Sequence, residues 1–157
     1  MSLKETLSAC FDTRLKNKAR DEFKLLLCDV ETCDSHQLEL LTKLLDYQKD
    51  DEPYGHTNII NWVRYISCTS DLFPERKLYL QRLVNKAFEF FDESSYKLDK
   101  SYLCLHIYSA EFKNDAAASL RYVENTIVKR KIGISLSLLY FAWIKYTIIA
   151  NKSSSEG

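Results

Sequence analysis

The stretch KLYLQRLVNKAFEFF, residues 77–91, decides the fold class because its apolar residues recur at helical spacing. They are three or four positions apart, which places them on one face of an α-helix. A strand of this length would show apolar residues at every second position instead. The stretch therefore predicts an amphipathic helix whose buried face carries Leu80, Leu83, Val84, Ala87 and Phe91.

Similar patterns precede this stretch. Residues 1–30 predict a helix pair or one broken helix, and Asp34 with Gln37 forms a capping-box pattern that opens a short third helix. Thr57 is predicted to cap a helix that runs through Trp62 and Ile66.

The patterns continue through the second half of the chain. Pro74 is predicted to occupy the first turn of the helix that carries Leu80 to Phe91, where a missing N–H is tolerated. Asp99 is predicted to start the next helix, and Asn114 or Asp115 the one after it. Gly133 then separates these helices from a final apolar helix, Ile134–Ala150.

Composition supports the same fold class. The chain has 157 residues with only 3 Gly and 2 Pro, and sheets rich in tight turns need more of both. Its 22 Lys plus Arg balance 22 Asp plus Glu, so the formal net charge is zero and long-range attraction to nucleic acid or anionic lipid is weak. We expect neither nucleic acid nor membrane as a partner. Five cysteines at irregular spacing indicate a reduced, intracellular protein.

The organisation predicted from these patterns is an all-α solenoid of degenerate tetratricopeptide-like helical hairpins with extra N-terminal helices. Aromatic helix starts recur about every 40 residues, close to the tetratricopeptide period of about 34. The charged stretch 49–55 contains Pro53 and Gly55 and is the best linker. We predict an N-terminal helical extension over 1–52, a tetratricopeptide-like domain over 53–152 and a flexible tail over 153–157.

Three strings carry a resemblance to a known family. INWVRYI at 60–66, FPERKLYLQRL at 73–83 and IGISLSLLYFAW at 132–143 occur in this order. They resemble a Trp-x-x-Tyr-Ile helix, a Phe-Pro turn into a Leu-rich helix, and an Ile-Gly turn followed by a Leu-x-x-x-Tyr-x-x-Trp helix. These elements are typical of the N-terminal domain of the BUB, BubR and Mad mitotic checkpoint proteins. Within this family, the chain most resembles the N-terminus of a BUB kinase.

The resemblance implies a non-catalytic domain without cofactors that docks on short Lys-Ile motifs of the kinetochore null scaffold. It implies nuclear and cytoplasmic localisation, recruitment to kinetochores in mitosis, and a further checkpoint protein as a candidate partner. A kinase domain follows this region in BUB kinases, but the chain itself has no Gly-rich loop, His-Arg-Asp or Asp-Phe-Gly signature.

Carrying the family's peptide-binding surface onto this sequence gives a candidate site. Its residues are Phe112, Lys113, Thr126, Ile127 and Tyr146, with Thr126 standing where the family has an aromatic residue. Phe112, Ile127 and Tyr146 are expected to receive the apolar anchors of a helical peptide, so Ile127→Glu should abolish binding and leave the fold intact. A structural role is predicted for Trp62, Tyr65, Pro74, Gly133, Tyr140 and Trp143, with both residues of the last pair in the core.

Some residues also allow other functional interpretations. Residues 132–150 are apolar enough to suggest a tail-anchored membrane adaptor, although Lys145 interrupts them. Cys28, Cys33 and His36, with His56, have a spacing that resembles a zinc site, but they lack a paired C-x-x-C, and we expect no metal. His106 is predicted to be a buried structural histidine. No catalytic triad or phosphate loop is recognisable, so an enzyme is not expected.

Overall fold

The computed structural model describes residues 48–49, 52–53 and 55–156. The described residues belong to two compact units that divide between Glu75 and Arg76. The first unit contains β1 (Gln48–Lys49), β2 (Glu52–Pro53) and α1 (Ile59–Leu72). The second contains α2 (Lys77–Phe88), α3 (Glu93–Tyr96), α4 (Lys100–Glu111), α5 (Ala116–Tyr122), a π-helical segment (Val123–Val128, the π segment) and α6 (Ser137–Glu156).

The all-α prediction is confirmed, since the described residues are mostly helical and their strands are two residues long. The solenoid arrangement and the boundaries after residues 52 and 152 stay predictions. The helices predicted within residues 1–45, and Cys28, Cys33 and His36 with them, lie outside the described residues.

A minimal two-stranded sheet overlaps the start of the predicted linker. β1 and β2 pair antiparallel, with Gln48 opposite Pro53 and Lys49 opposite Glu52. Strands this short have no alternating pattern, so the sequence could not reveal them.

Asn58 starts α1, because its side-chain oxygen accepts a hydrogen bond from the Ile60 N–H at 3.1 Å. The prediction that Thr57 caps this helix is therefore wrong by one residue. The Trp62 indole N–H donates to the His56 carbonyl at 2.7 Å, and the ring is fully buried. This hydrogen bond of Trp62 thus connects the turn before α1 to the helix.

Pro74 ends a helix instead of starting one. Phe73 has left the helical region, with φ −131° and ψ 59°, as expected for the residue before a proline. α1 consequently ends at Leu72, and Pro74 lies exposed in the turn that follows. Because α2 begins only at Lys77, the prediction that Pro74 occupies its first turn is wrong.

α4 is the central helix of the second unit, in contact with α2, α5, the π segment and α6. Asp99 caps it by accepting from the Tyr102 N–H at 3.0 Å, and Asp115 caps α5 by accepting from the Ala118 N–H at 2.7 Å. Both predicted helix starts are confirmed, because a short carboxylate satisfies backbone donors that the helix leaves unpaired.

A left-handed turn connects the π segment to α6. Gly133 has φ +60°, and its N–H donates to the Lys97 carbonyl at 2.8 Å. α6 begins at Ser137, later than the predicted Ile134, and continues through Glu156, beyond the predicted Ala150. No Gly or Pro follows Ala150 until Gly157 to stop it.

Candidate protein-interaction site

The five predicted peptide-binding residues lie on neighbouring elements. Phe112 and Lys113 follow the end of α4, Thr126 and Ile127 lie in the π segment, and Tyr146 is in the middle of α6. Each of these three elements contacts the other two. We call the region where they meet the three-element junction, defined by these five residues.

The apolar members of the junction are closed to solvent. Ile127 is 0% exposed, Tyr146 is 5% exposed and Phe112 is 6% exposed, so they form part of the core. Lys113 and Thr126 are half-buried and form its accessible edge. The expectation that Ile127→Glu would leave the fold intact is therefore wrong, because this change places a charge in a fully buried position.

The π segment determines the backbone conformation at this accessible edge. The N–H groups of Lys129 and Ile132 donate five residues back, to the carbonyls of Glu124 and Ile127, at 3.2 and 2.9 Å. The helical turn is wider here than in an α-helix, and such turns occur frequently at functional sites. Thr126 and Ile127 thus stand on locally irregular backbone, which the sequence pattern did not reveal.

Tyr146 carries an unpaired polar atom into the junction. Its hydroxyl is buried and has no hydrogen-bond partner among the residues that the structure describes. Burial raises the pKa of Tyr146, and the nearby Glu111 carboxylate raises it further. The hydroxyl is therefore protonated at neutral pH and available as a donor.

Lys113 is held by one contact of its side chain and one contact of its backbone carbonyl. Its ammonium lies 4.6 Å from the centre of the Tyr122 ring, a cation–π distance, and its carbonyl accepts from the Lys77 ammonium at 3.2 Å. These contacts position a positive charge at the accessible edge of the junction.

A buried aromatic cluster lies behind this edge. His106 is 4% exposed and packs among Phe88, Tyr102 and Tyr122 with ring centres 4.5 to 6.1 Å away. Its Nδ1 lies 2.8 Å from the Tyr122 hydroxyl, while Nε2 is buried without a partner in the described region. Burial lowers the pKa of His106 to about 4, with a smaller effect of Arg130, so the ring is neutral at pH 7.

The outward face of α6 carries exposed apolar residues, and the sequence did not identify them individually. Tyr140, Trp143, Ile144, Thr147 and Ile148 line an open depression of about 260 Å³ along this face. Tyr140 is 43% exposed and Trp143 is only half-buried, so the prediction that both belong to the core is wrong for Tyr140 and incomplete for Trp143. α6 is apolar on most of its circumference, which hides the orientation of individual residues in the sequence.

The described region offers neither a metal-binding group nor a membrane-spanning helix. Its residues include no group of three His, Cys, Asp or Glu side chains that could hold a metal ion. No helix between residues 55 and 156 is both long and apolar enough to cross a membrane.

The fold and these sites define an all-helical domain whose accessible features are suited to contacts with other proteins. The family model described as Mad3/BUB1 homology region 1 matches residues 54–155, and the chain belongs to that family. The resemblance carried by the Trp62, Phe73-Pro74 and Ile132-Gly133 strings is thereby confirmed. The chain is a spindle checkpoint family protein, and its matched region is a non-catalytic interaction domain. No solved structure matches the chain.

Proposed function

We propose that this domain docks on a short helical Lys-Ile motif of the kinetochore null scaffold and so recruits a checkpoint protein to kinetochores. The observation that carries the proposal is the family match over residues 54–155, which covers all five residues of the three-element junction. The recruited protein would be found at kinetochores in mitosis and in the nucleus and cytoplasm otherwise.

The accessible edge of the junction supports a particular binding site. Lys113 and Thr126 are half-buried at an edge whose floor is the buried Phe112, Ile127 and Tyr146. An amphipathic peptide helix that packs on this edge would place apolar anchors above Thr126.

The proposal is tested with Thr126→Lys, which adds a charge at the accessible edge. A bound peptide would have to desolvate the new ammonium, so we expect the affinity for a labelled scaffold motif peptide to fall by at least about tenfold, or about 1.4 kcal/mol. Fluorescence anisotropy with the 157-residue protein measures this directly.

Asn125→Lys is the matched control, because Asn125 is the exposed neighbour of Thr126 in the same π segment. It adds the same charge to the same element, so it reproduces any long-range repulsion of a basic peptide. We expect its affinity to stay near the parent value. Equal binding by all three proteins would show that the junction is not the site, and a parent protein that does not bind the peptide would refute the partner.

A further inference from the structure

Lys113 is the charged residue of the three-element junction, and an aromatic ring orients its side chain. The Lys113 ammonium lies 4.6 Å from the centre of the Tyr122 ring. An ammonium has three N–H donors, so the contact with the ring leaves donors for a second group. Among the residues that the structure describes, no carboxylate forms an ion pair with Lys113. The donors that point away from Tyr122 are therefore available to a ligand.

Tyr122 is itself fixed by the buried aromatic cluster. Its hydroxyl lies 2.8 Å from His106 Nδ1, and the two rings are stacked with centres 6.1 Å apart. His106 is 4% exposed and packs against Phe88 and Tyr102 on its other sides. The orientation of the Tyr122 ring thus depends on residues that lie behind the accessible edge.

The backbone of Lys113 is fixed as well. Its N–H donates to the Ala110 carbonyl at 3.3 Å, and its own carbonyl accepts from the Lys77 ammonium at 3.2 Å. Immobilising a long side chain on binding costs about 0.5–1.5 kcal/mol. Because the ring and these backbone contacts already order Lys113, a ligand that uses its charge avoids much of that cost.

The charges around Lys113 have both signs. Lys77 adds a second ammonium, whereas Glu111 and Asp115 each lie two residues away along the chain. The Asp115 side chain accepts from the Ala118 N–H at 2.7 Å as the cap of α5, and the Glu111 carboxylate is close enough to Tyr146 to raise the pKa of its hydroxyl. This balance gives no strong field of one sign, so any recognition of charge here depends on direct contact with the Lys113 ammonium.

We propose that Lys113 binds a carboxylate of the docked peptide, and that Tyr122 is the positioning residue that holds the ammonium for this contact. The proposal rests on the proposed function, since the peptide is the scaffold motif that docks at the three-element junction. A peptide helix on this edge removes water from Lys113, and an ammonium that loses its water must be given an acceptor. A carboxylate suits this position best, because charge-assisted hydrogen bonds are about twice as strong as neutral ones.

The test compares two labelled peptides by fluorescence anisotropy with the 157-residue protein. One is the scaffold motif peptide, and the other is the same peptide with every Asp changed to Asn and every Glu to Gln. We call the ratio of their affinities the carboxylate preference. We expect the parent protein to bind the neutral peptide at least about fivefold more weakly, which corresponds to about 1 kcal/mol.

Three lysine variants locate the preference. Lys113→Met keeps the apolar stem without the charge, so its carboxylate preference should fall to about one. Lys113→Arg keeps a cation that also packs on aromatic rings, and it should retain the preference. Lys100→Met is the matched control, because Lys100 is exposed at the start of α4, whose 12 residues separate it from Lys113 by about 18 Å. This distance exceeds the Debye length of about 8 Å, so Lys100→Met should behave as the parent does.

Two tyrosine variants test the positioning role. Tyr122→Leu removes the ring face and should lose most of the carboxylate preference, whereas Tyr122→Phe retains the ring and should keep the preference within about twofold of the parent. The Lys113→Met, Tyr122→Leu double variant should show the same preference as Lys113→Met alone, because the two residues act through one contact. Nuclear magnetic resonance of the unbound parent protein provides a measurement that does not depend on how Tyr122→Leu folds. The ring current of Tyr122 should shift the Lys113 ε-CH₂ signal upfield.

Each outcome separates this inference from the proposed function. If the parent binds neither peptide, the scaffold partner is wrong and this inference fails with it. Equal binding of both peptides, or a preference that survives in Lys113→Met, would leave the docking in place and overturn the carboxylate contact. The positioning role is overturned if Tyr122→Leu keeps the parent's preference, if Tyr122→Phe loses as much as Tyr122→Leu, or if the Lys113 signal has no ring-current shift.

Discussion

Replacing Gly133 with alanine should destabilise the domain by about 3 kcal/mol. Gly133 has φ +60°, and a Cβ built there would lie 2.7 Å from Leu103 Cδ2 and 3.2 Å from Leu103 Cβ. Leu103 is fully buried in α4 and cannot move into solvent. Left-handed backbone costs a residue with a Cβ about 1–2 kcal/mol, and overpacking adds about 1–3 kcal/mol. Alanine recovers only about 0.4–1 kcal/mol by restricting the unfolded chain.

Gly55→Ala is the matched control for the backbone contribution. Gly55 has φ +67°, and its added Cβ would meet Asn61 Nδ2 at 2.6 Å. This amide is the end of a side chain and can move, at the cost of the hydrogen bond that it donates to the Gly55 carbonyl at 3.1 Å. We expect a loss of about 1–2 kcal/mol, from the left-handed backbone and the hydrogen bond of Asn61, less the gain from restricting the unfolded chain and without the overpacking contribution. Leu103→Ala supplies the second control, because it removes the two Cδ atoms that the new Cβ would meet, including the nearest one at 2.7 Å, and leaves only Cβ at 3.2 Å.

Urea unfolding followed by far-UV circular dichroism measures all four proteins and the Leu103→Ala, Gly133→Ala double variant. Leu103→Ala alone should cost about 2–5 kcal/mol through the cavity it leaves, but in that background Gly133→Ala should cost only about 1 kcal/mol more. The reasoning is refuted if Gly133→Ala costs no more than Gly55→Ala, or if its cost is unchanged by removing the Leu103 side chain.

Two further predictions concern buried groups behind the junction. Ile127→Glu should unfold the domain or destabilise it by more than about 3 kcal/mol, because it buries an unpaired charge, whereas Asn125→Glu at the exposed neighbouring position should stay within about 0.5 kcal/mol. Urea unfolding measures both variants, and equal free energies of unfolding would contradict this. The pKa of His106 is lowered to about 4 from its ordinary 6.5, so the unfolded chain takes up a proton that the folded chain does not as pH falls through this window. Stability should therefore fall by up to about 3 kcal/mol between pH 6.5 and pH 4. His106→Asn, which keeps a polar group beside the Tyr122 hydroxyl, should flatten this dependence, and identical urea midpoint shifts with pH in both proteins would rule the explanation out.

Local signals in the sequence predicted the parts of the fold that local chemistry determines. Asp99 and Asp115 cap their helices as predicted, because each carboxylate bonds a backbone N–H three residues ahead. Pro74 was assigned to the wrong helix end, since a proline is compatible both with a first turn and with the turn after a helix. The four-residue helix α3 is too short to show a periodic pattern.

The candidate site was less predictable, because burial depends on the neighbours of a helix. Carrying a family surface onto the sequence gave Ile127 as a peptide contact, but the packing of α4, α6 and the π segment leaves it fully buried. Tyr140 and Tyr146 both belong to α6, whose sequence is apolar on most sides of the helix. Only the packing of α6 shows that Tyr140 is exposed and Tyr146 is buried.

The central claim is that this checkpoint family domain binds a helical Lys-Ile motif of the kinetochore null scaffold at the three-element junction. The most direct measurement is a titration of the labelled motif peptide with the parent protein, Thr126→Lys and Asn125→Lys. The account predicts saturable binding that Thr126→Lys weakens at least about tenfold and Asn125→Lys preserves. Binding that is equal in all three proteins, or absent in the parent, would contradict it.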